Sequence, residues 1–143
     1  MNTLELAKQY LAENGCTCVA FDGTVCLSSV QRGVTPLLQW LDEGVCLGGF
    51  AVADKVIGCG AAYLYVKLQA KTIHAQVISR PALQLLQREK CLVTYDRLVD
   101  GIRNRDNTGL CPIESAVLSA DGVDTAVLRI REKLQELKSN MPY

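Results

Sequence analysis

Residues 49–69, GFAVADKVIGCGAAYLYVKLQ, constrain the fold more than any other stretch of the chain. They predict a short apolar strand over residues 50–53, a charged turn at Asp54 and Lys55, and then a helix that is apolar nearly all round. A helix without a polar stripe has to be covered on every side, so we expect the most buried helix of the protein here. The turn would present a carboxylate and an ammonium group at the amino end of that helix, and strand-end turns commonly carry binding sites.

Length and charge set the class of protein. The 143 residues predict a single domain, 1–143, that is large enough to bury a core. Fifteen basic and fifteen acidic residues give no net charge, so no field is expected to attract nucleic acid. No apolar run reaches the roughly 18 residues of a membrane span, and the first residues lack the apolar core of a secretory signal. These features predict a cytoplasmic protein.

The cysteines do not form a metal-binding pattern. No two of the seven have the two-residue gap typical of zinc sites. They are better interpreted as small buried hydrophobic residues in a reducing compartment. The only histidine, His74, is interpreted as a strand residue with a hydrogen-bond partner. We therefore predict no metal and no cofactor.

The rest of the chain predicts alternating strands and helices. A helix over about 2–14 precedes a hairpin with an Asp22-Gly23 turn. A helix beginning near Thr35 comes next, and strands are expected at 49–53, 72–78 and 91–95. Ser79 should cap the helix between the last two strands, and a final helix covers about 123–138. This order predicts an α/β fold whose mixed sheet has parallel later strands and helices on both faces.

Four stretches of the sequence resemble a family of small uncharacterised bacterial proteins with a cytidine-deaminase-like fold. They are RGVTPLLQWL, VADKVIGCGAAYLYV, VISRPALQLL and NRDNTGLCPIESAV, and they are spread over nearly the whole chain. The resemblance implies a three-layer sandwich around a five-stranded mixed sheet, with an N-terminal hairpin followed by parallel strands. It also implies a site at the carboxyl ends of the strands, without an assigned reaction.

The zinc motifs of active deaminases are missing at the corresponding positions. Those enzymes carry H-x-E on the second helix and P-C-x-x-C on the third. The first motif would fall on residues 32–36, RGVTP, which offer neither histidine nor glutamate. The second would fall on residues 54–59, where Val56 takes the place of the first cysteine and Cys59 that of the second. One ligand out of three does not hold a catalytic zinc, so zinc-dependent deaminase activity is predicted to be absent.

The same location still has the features of an anion site. Arg32 and Lys55, beside unpaired amide groups at helix starts, would form a cradle for a phosphate. Gly58 and Gly60 allow a close approach of the backbone, either to a ligand or to the sheet. Asn104 and Arg105 would supply hydrogen bonds to a base or ribose. The candidate ligand-binding residues are Arg32, Gly33, Asp54, Lys55, Gly58, Cys59, Ser79, Asn104 and Arg105.

Three functions are compatible with these residues. The leading hypothesis is a metal-free deaminase-like domain that binds a nucleotide or a similar phosphate-bearing small molecule. The second is an enzyme of another chemistry, with Lys55 as nucleophile or Asp54 as general base. The third is an interaction module without a small ligand, a homodimer with Trp40 and Tyr143 as candidate contacts. Every candidate also has a structural explanation, such as helix capping for Asp54 or burial for Cys59.

Overall fold

The computed structural model describes residues 2–31, 33–103 and 109–139. This part of the chain forms five strands and six helices, and their order agrees with the alternation predicted from the sequence. The elements are α1 (Thr3–Glu13), β1 (Cys18–Phe21), β2 (Cys26–Ser29), α2 (Thr35–Asp42), β3 (Ala51–Ile57), α3 (Cys59–Lys67), β4 (Thr72–Ser79), α4 (Arg80–Arg88), β5 (Leu92–Val99), α5 (Pro112–Val117) and α6 (Val123–Ser139).

The strands form one mixed sheet in the order β2-β1-β3-β4-β5. Strand β1 runs antiparallel to β2 and β3, while β3, β4 and β5 are parallel. Asp22 forms the hairpin turn as predicted, because its Oδ1 accepts hydrogen bonds from the backbone N–H groups of Thr24 and Val25. The parallel arrangement places the carboxyl ends of β3, β4 and β5 at the same edge of the sheet.

Helices cover both faces of the sheet. Ala7 and Leu11 of α1 pack against Val19 and Ala53 on one face, in a small separate core. The main core lies on the opposite face, because Val52 packs there with side chains of α2, α3 and α4 and of the later helices. Helix α3 is the centre of this core, and seven of its nine residues are buried. The prediction of a buried, all-round apolar helix is therefore confirmed.

The predicted turn at Asp54 and Lys55 is wrong. Both residues lie inside β3, which continues to Ile57, and α3 begins only at Cys59. Strand pairing on both sides explains the difference. Asp54 pairs with Cys18 of β1 and with Ala75 of β4, and β3 continues beside β4 as far as Ile57. These tertiary pairings outweigh the local tendency of two adjacent charged residues to form a turn.

The structure also bears on the predictions for the cysteines, for the candidate dimer contacts and for membrane spans. Four cysteines are buried, but Cys26 and Cys46 are exposed, so the interpretation of all seven as buried residues is wrong. Trp40 is 7% exposed in the main core, which removes it as a surface contact, and Tyr143 lies outside the described residues. No helix in the described ranges is long and apolar enough to cross a membrane.

Candidate functional site

The amino end of α3 is capped by a carboxylate from a distant part of the chain. The cap residue of the helix is Gly58, which has extended backbone and no side chain to accept a hydrogen bond. Instead, the backbone N–H of Cys59 donates to Oε2 of Glu114 over 2.5 Å. Glu114 belongs to α5, and its side chain is buried. The positive end of α3 therefore holds an anionic group, as the helix dipole favours.

The two glycines at the start of α3 make room for α5. A Cβ atom at Gly58 would lie 2.5 Å from Oε2 of Glu114 and 3.0 Å from Cγ1 of Ile102. A Cβ atom at Gly60 would lie 2.5 Å from Cγ2 of Ile113. Close approach therefore occurs at both positions, but the neighbours belong to α5 and to the segment that follows β5, and not to the sheet named as an alternative to a ligand. A larger residue at position 58 would push Glu114 away from the helix end, and one at position 60 would push away Ile113.

The Glu114 carboxylate is only half satisfied. Within the described residues, its Oε1 atom is buried and has no hydrogen-bond partner. Leaving such a group unpaired costs about 1–3 kcal/mol, and more when the group is charged. Burial, and after it the negative charge of Glu114, raises the pKa of the Cys59 thiol to about 11. At neutral pH that thiol stays protonated, which makes it a poor nucleophile and a poor metal ligand.

Asp54 lies in the core rather than at the start of α3. Its Oδ2 accepts a hydrogen bond from the Tyr65 hydroxyl at 2.6 Å, and its Oδ1 accepts one from the backbone N–H of Val56 at 3.1 Å. Burial raises the pKa of the Asp54 carboxyl to about 7, although these hydrogen bonds oppose the rise. Both oxygens have partners, so the geometry is that of a structural buried carboxyl group.

Lys55 has a different environment from Asp54. Its side chain is exposed, and its backbone N–H donates to the carbonyl of Thr17 at 3.0 Å. A buried, fully hydrogen-bonded carboxyl group and an exposed ammonium group do not form a shared catalytic pair. The two side chains therefore do not share one site, and Lys55 as nucleophile or Asp54 as general base stay separate hypotheses.

The remaining candidate ligand-binding residues lie in different parts of the structure. Gly33 has a φ of +70° in the turn before α2, next to Val34, whose Cγ1 would lie 3.7 Å from a Cβ atom at Gly60. Ser79 is buried and caps α4 as predicted, because its Oγ accepts from the backbone N–H of Ala82 at 3.3 Å. The structure therefore places Gly58 and Cys59 beside Glu114 of α5, while Gly33 is linked to the start of α3 only through its neighbour Val34. The candidates that lie outside the described residues are Arg32, Asn104 and Arg105.

Sequence reasoning did not identify Glu114 as a site residue. The contact joins residues 55 positions apart, so no local spacing indicates it. The available signal was the pair of glycines in an apolar helix, which indicated a close neighbour without identifying it. Among the described residues, no group of three or more His, Cys, Asp or Glu side chains could hold a metal ion.

The fold and this site define an α/β domain in which a buried carboxylate occupies the amino end of the central helix. A family model described as "TM1506: Domain of unknown function (DUF1893)" matches residues 6–134. The chain therefore belongs to the DUF1893 family. It is similar to the crystal structure of a DUF1893 family protein (TM1506) from Thermotoga maritima, with 29% sequence identity and a TM-score of 0.84. That match covers 94% of this chain and 90% of the other. No curated protein matches the chain.

Proposed function

We propose that the chain is a metal-free domain of cytidine-deaminase-like architecture that binds a nucleotide or another phosphate-bearing small molecule. The ligand would bind at the carboxyl ends of β3, β4 and β5, next to the amino end of α3. The single observation that carries the proposal is the contact between Cys59 N–H and the Glu114 carboxylate. It indicates that this helix end accepts an anionic oxygen in a buried position, which is the requirement of a phosphate site.

The start of α3 supports the absence of zinc chemistry. Both cysteines of the deaminase motif P-C-x-x-C bind the metal, whereas α3 offers the single thiol of Cys59, with Ala62 three residues later. A single thiol whose pKa is raised to about 11 is not the ligand set that catalytic zinc requires.

A thermal-shift experiment tests the proposal. The chain is heated with millimolar inorganic phosphate, nucleotides and nucleotide sugars, and unphosphorylated nucleosides serve as controls. Phosphate-bearing ligands should raise Tm, because a ligand at 100 times its Kd stabilises the folded state by about 2.7 kcal/mol. Lys55→Ala should keep the full shift, because the exposed Lys55 side chain takes no part in the contact between Cys59 and Glu114 that carries the proposal. A panel in which no compound raises Tm overturns the proposal.

An interaction module that pairs with a second copy is the alternative. Its support is an apolar groove of about 400 Å³ between α1 and the β1–β2 hairpin, lined by residues that include Leu6, Tyr10 and Phe21. The absence of net charge removes a general repulsion between copies. Light scattering after size exclusion distinguishes the two candidates: a dimer that Tyr10→Glu converts to a monomer, without any ligand-induced thermal shift, favours the module.

A further inference from the structure

Glu114 is the one buried carboxylate of the described chain whose second oxygen lacks a partner. Its side chain is 2% exposed, it faces the amino end of the nine-residue helix α3, and Oε2 accepts the Cys59 N–H while Oε1 accepts nothing. Asp54, the other buried carboxyl group, has donors on both oxygens. A residue selected only to cap the helix would be expected to have both oxygens satisfied. The unpaired oxygen indicates that Glu114 is not held in the fully satisfied arrangement expected of a purely structural cap.

Helix α5, which carries Glu114, depends on the rest of the protein for its stability. Helix α5 has only six residues, and its cap residue, Cys111, makes no side-chain hydrogen bond to the helix. A helix of this length is not stable by itself. Its position depends on packing, including the contact of Ile113 with the backbone at Gly60. Displacement of α5 would leave the strand pairings of the sheet in place, but it would expose Val117, which is fully buried in the main core.

We propose that Glu114 is an internal competitor for the anionic group of the ligand. In the free protein its carboxylate occupies the first N–H of α3, and a phosphate-bearing ligand takes over that N–H by displacing Glu114 together with α5. The inference rests on the proposed function and adds regulation to the same site. A phosphate group carries more negative charge than one carboxylate and offers three acceptor oxygens, so it satisfies the helix end better than Glu114 does.

Competition of this kind has a measurable cost in affinity. A site that is open in only about one molecule in ten binds its ligand about tenfold more weakly than a permanently open one. Glu114→Ala removes the competitor, so phosphate-bearing ligands should bind it about tenfold more tightly than they bind wild type. Glu114→Gln keeps a carbonyl oxygen for the Cys59 N–H but loses the charge, so its gain should be smaller. Glu132→Gln, on the exposed side of α6, is the matched control and should bind as wild type does.

The experiment combines titration calorimetry with NMR. Inorganic phosphate and the best nucleotide of the thermal-shift panel are titrated into wild type and the three variants. In wild type, the amide signal of Cys59 and the methyl signals of Ile113 should shift together during the titration, because the ligand replaces Glu114 and moves α5. This second measurement needs no variant, so the test remains decisive if the substitutions at Glu114 prevent folding.

The outcomes separate the inference from the proposed function. Tighter binding by Glu114→Ala, or coupled shifts of Cys59 and Ile113 in wild type, supports both. Equal affinities in all proteins, with a shifted Cys59 amide and unshifted Ile113 methyl groups, refute the competition and leave the binding site intact. Failure of phosphate and nucleotides to bind either wild type or any variant refutes both.

Discussion

Replacing Asp54 by asparagine should change how the stability of the protein depends on pH. The Asp54 carboxyl lies in the core between Tyr65 and the neighbouring strands, and its burial raises its pKa from an ordinary value of 3.8 to about 7. The folded state therefore keeps a proton that the unfolded state releases at a lower pH. Asparagine has a similar shape and is neutral at every pH, so it imitates the protonated form.

The sign and size of the effect follow from proton linkage. Between about pH 4 and pH 7 the folded state binds one more proton at Asp54 than the unfolded state, so this group makes the unfolding free energy fall as pH rises. A tenfold change in proton affinity corresponds to about 1.4 kcal/mol. The rise in pKa from 3.8 to about 7 then amounts to a loss of roughly 4 kcal/mol across this window. Above about pH 7 the loss is complete.

Urea unfolding from pH 4 to pH 8 measures the effect. The difference in unfolding free energy between wild type and Asp54→Asn should grow in favour of the variant as pH rises, because other titrating groups cancel in the difference. Asp121→Asn, which removes an exposed carboxylate, serves as control and should follow the wild-type curve. Parallel curves of unfolding free energy against pH for wild type and Asp54→Asn would show that the buried carboxyl group keeps an ordinary pKa. That result would refute the prediction.

Three further substitutions test the packing around the site, each by urea unfolding at pH 7. Gly60→Ala should lower the unfolding free energy by about 1–3 kcal/mol, because the new Cβ atom would lie 2.5 Å from Ile113 Cγ2. Ser79→Ala should cost about 1 kcal/mol, since α4 loses its side-chain cap. Tyr65→Phe should cost about 1–3 kcal/mol and raise the pKa of Asp54 further, because the ionised carboxylate loses a hydrogen bond of 2.6 Å.

Each of these substitutions has a control at an open position. Gly122→Ala adds a Cβ atom that meets nothing within 4 Å, Ser115→Ala changes an exposed residue of α5, and Tyr95→Phe removes the hydroxyl of a tyrosine that is 42% exposed on β5. Changes at such positions are usually within about 0.5 kcal/mol. If any substitution in the core destabilises the protein no more than its control does, the contact assigned to it does not contribute to stability.

Local signals predicted most of the fold because they depend on neighbouring residues. The strand expected at 72–78 is observed as Thr72–Ser79, and the helix expected at 123–138 as Val123–Ser139. Ser79 caps α4 because the serine, its backbone and the first turn of the helix lie together in the sequence. The chain order of elements, the hairpin and the parallel later strands follow from the same information.

Strand β3 shows where local signals fail. Val52 and Ile57 both pack in the main core, and Asp54 bonds to Tyr65 of α3 on that same side. The alternation of side chains between the two faces of β3 is therefore interrupted at Lys55 and Val56, which are both exposed. An interrupted pattern with adjacent charges is typical of a turn. Only the pairing with β1 and β4, which the sequence does not display, keeps these residues in the strand.

The two buried carboxyl groups explain why the candidate site lies at the start of α3 and not at the charged pair in β3. Asp54 has a donor for each oxygen, so its environment is complete without any other molecule. Glu114 has a donor for one oxygen at a helix end where an anion is favoured, and within the described residues its other oxygen is unpaired. A buried polar group without a partner is costly to keep. Such a cost is tolerated where function requires it, and this physical difference makes Glu114 the residue to test first for ligand binding.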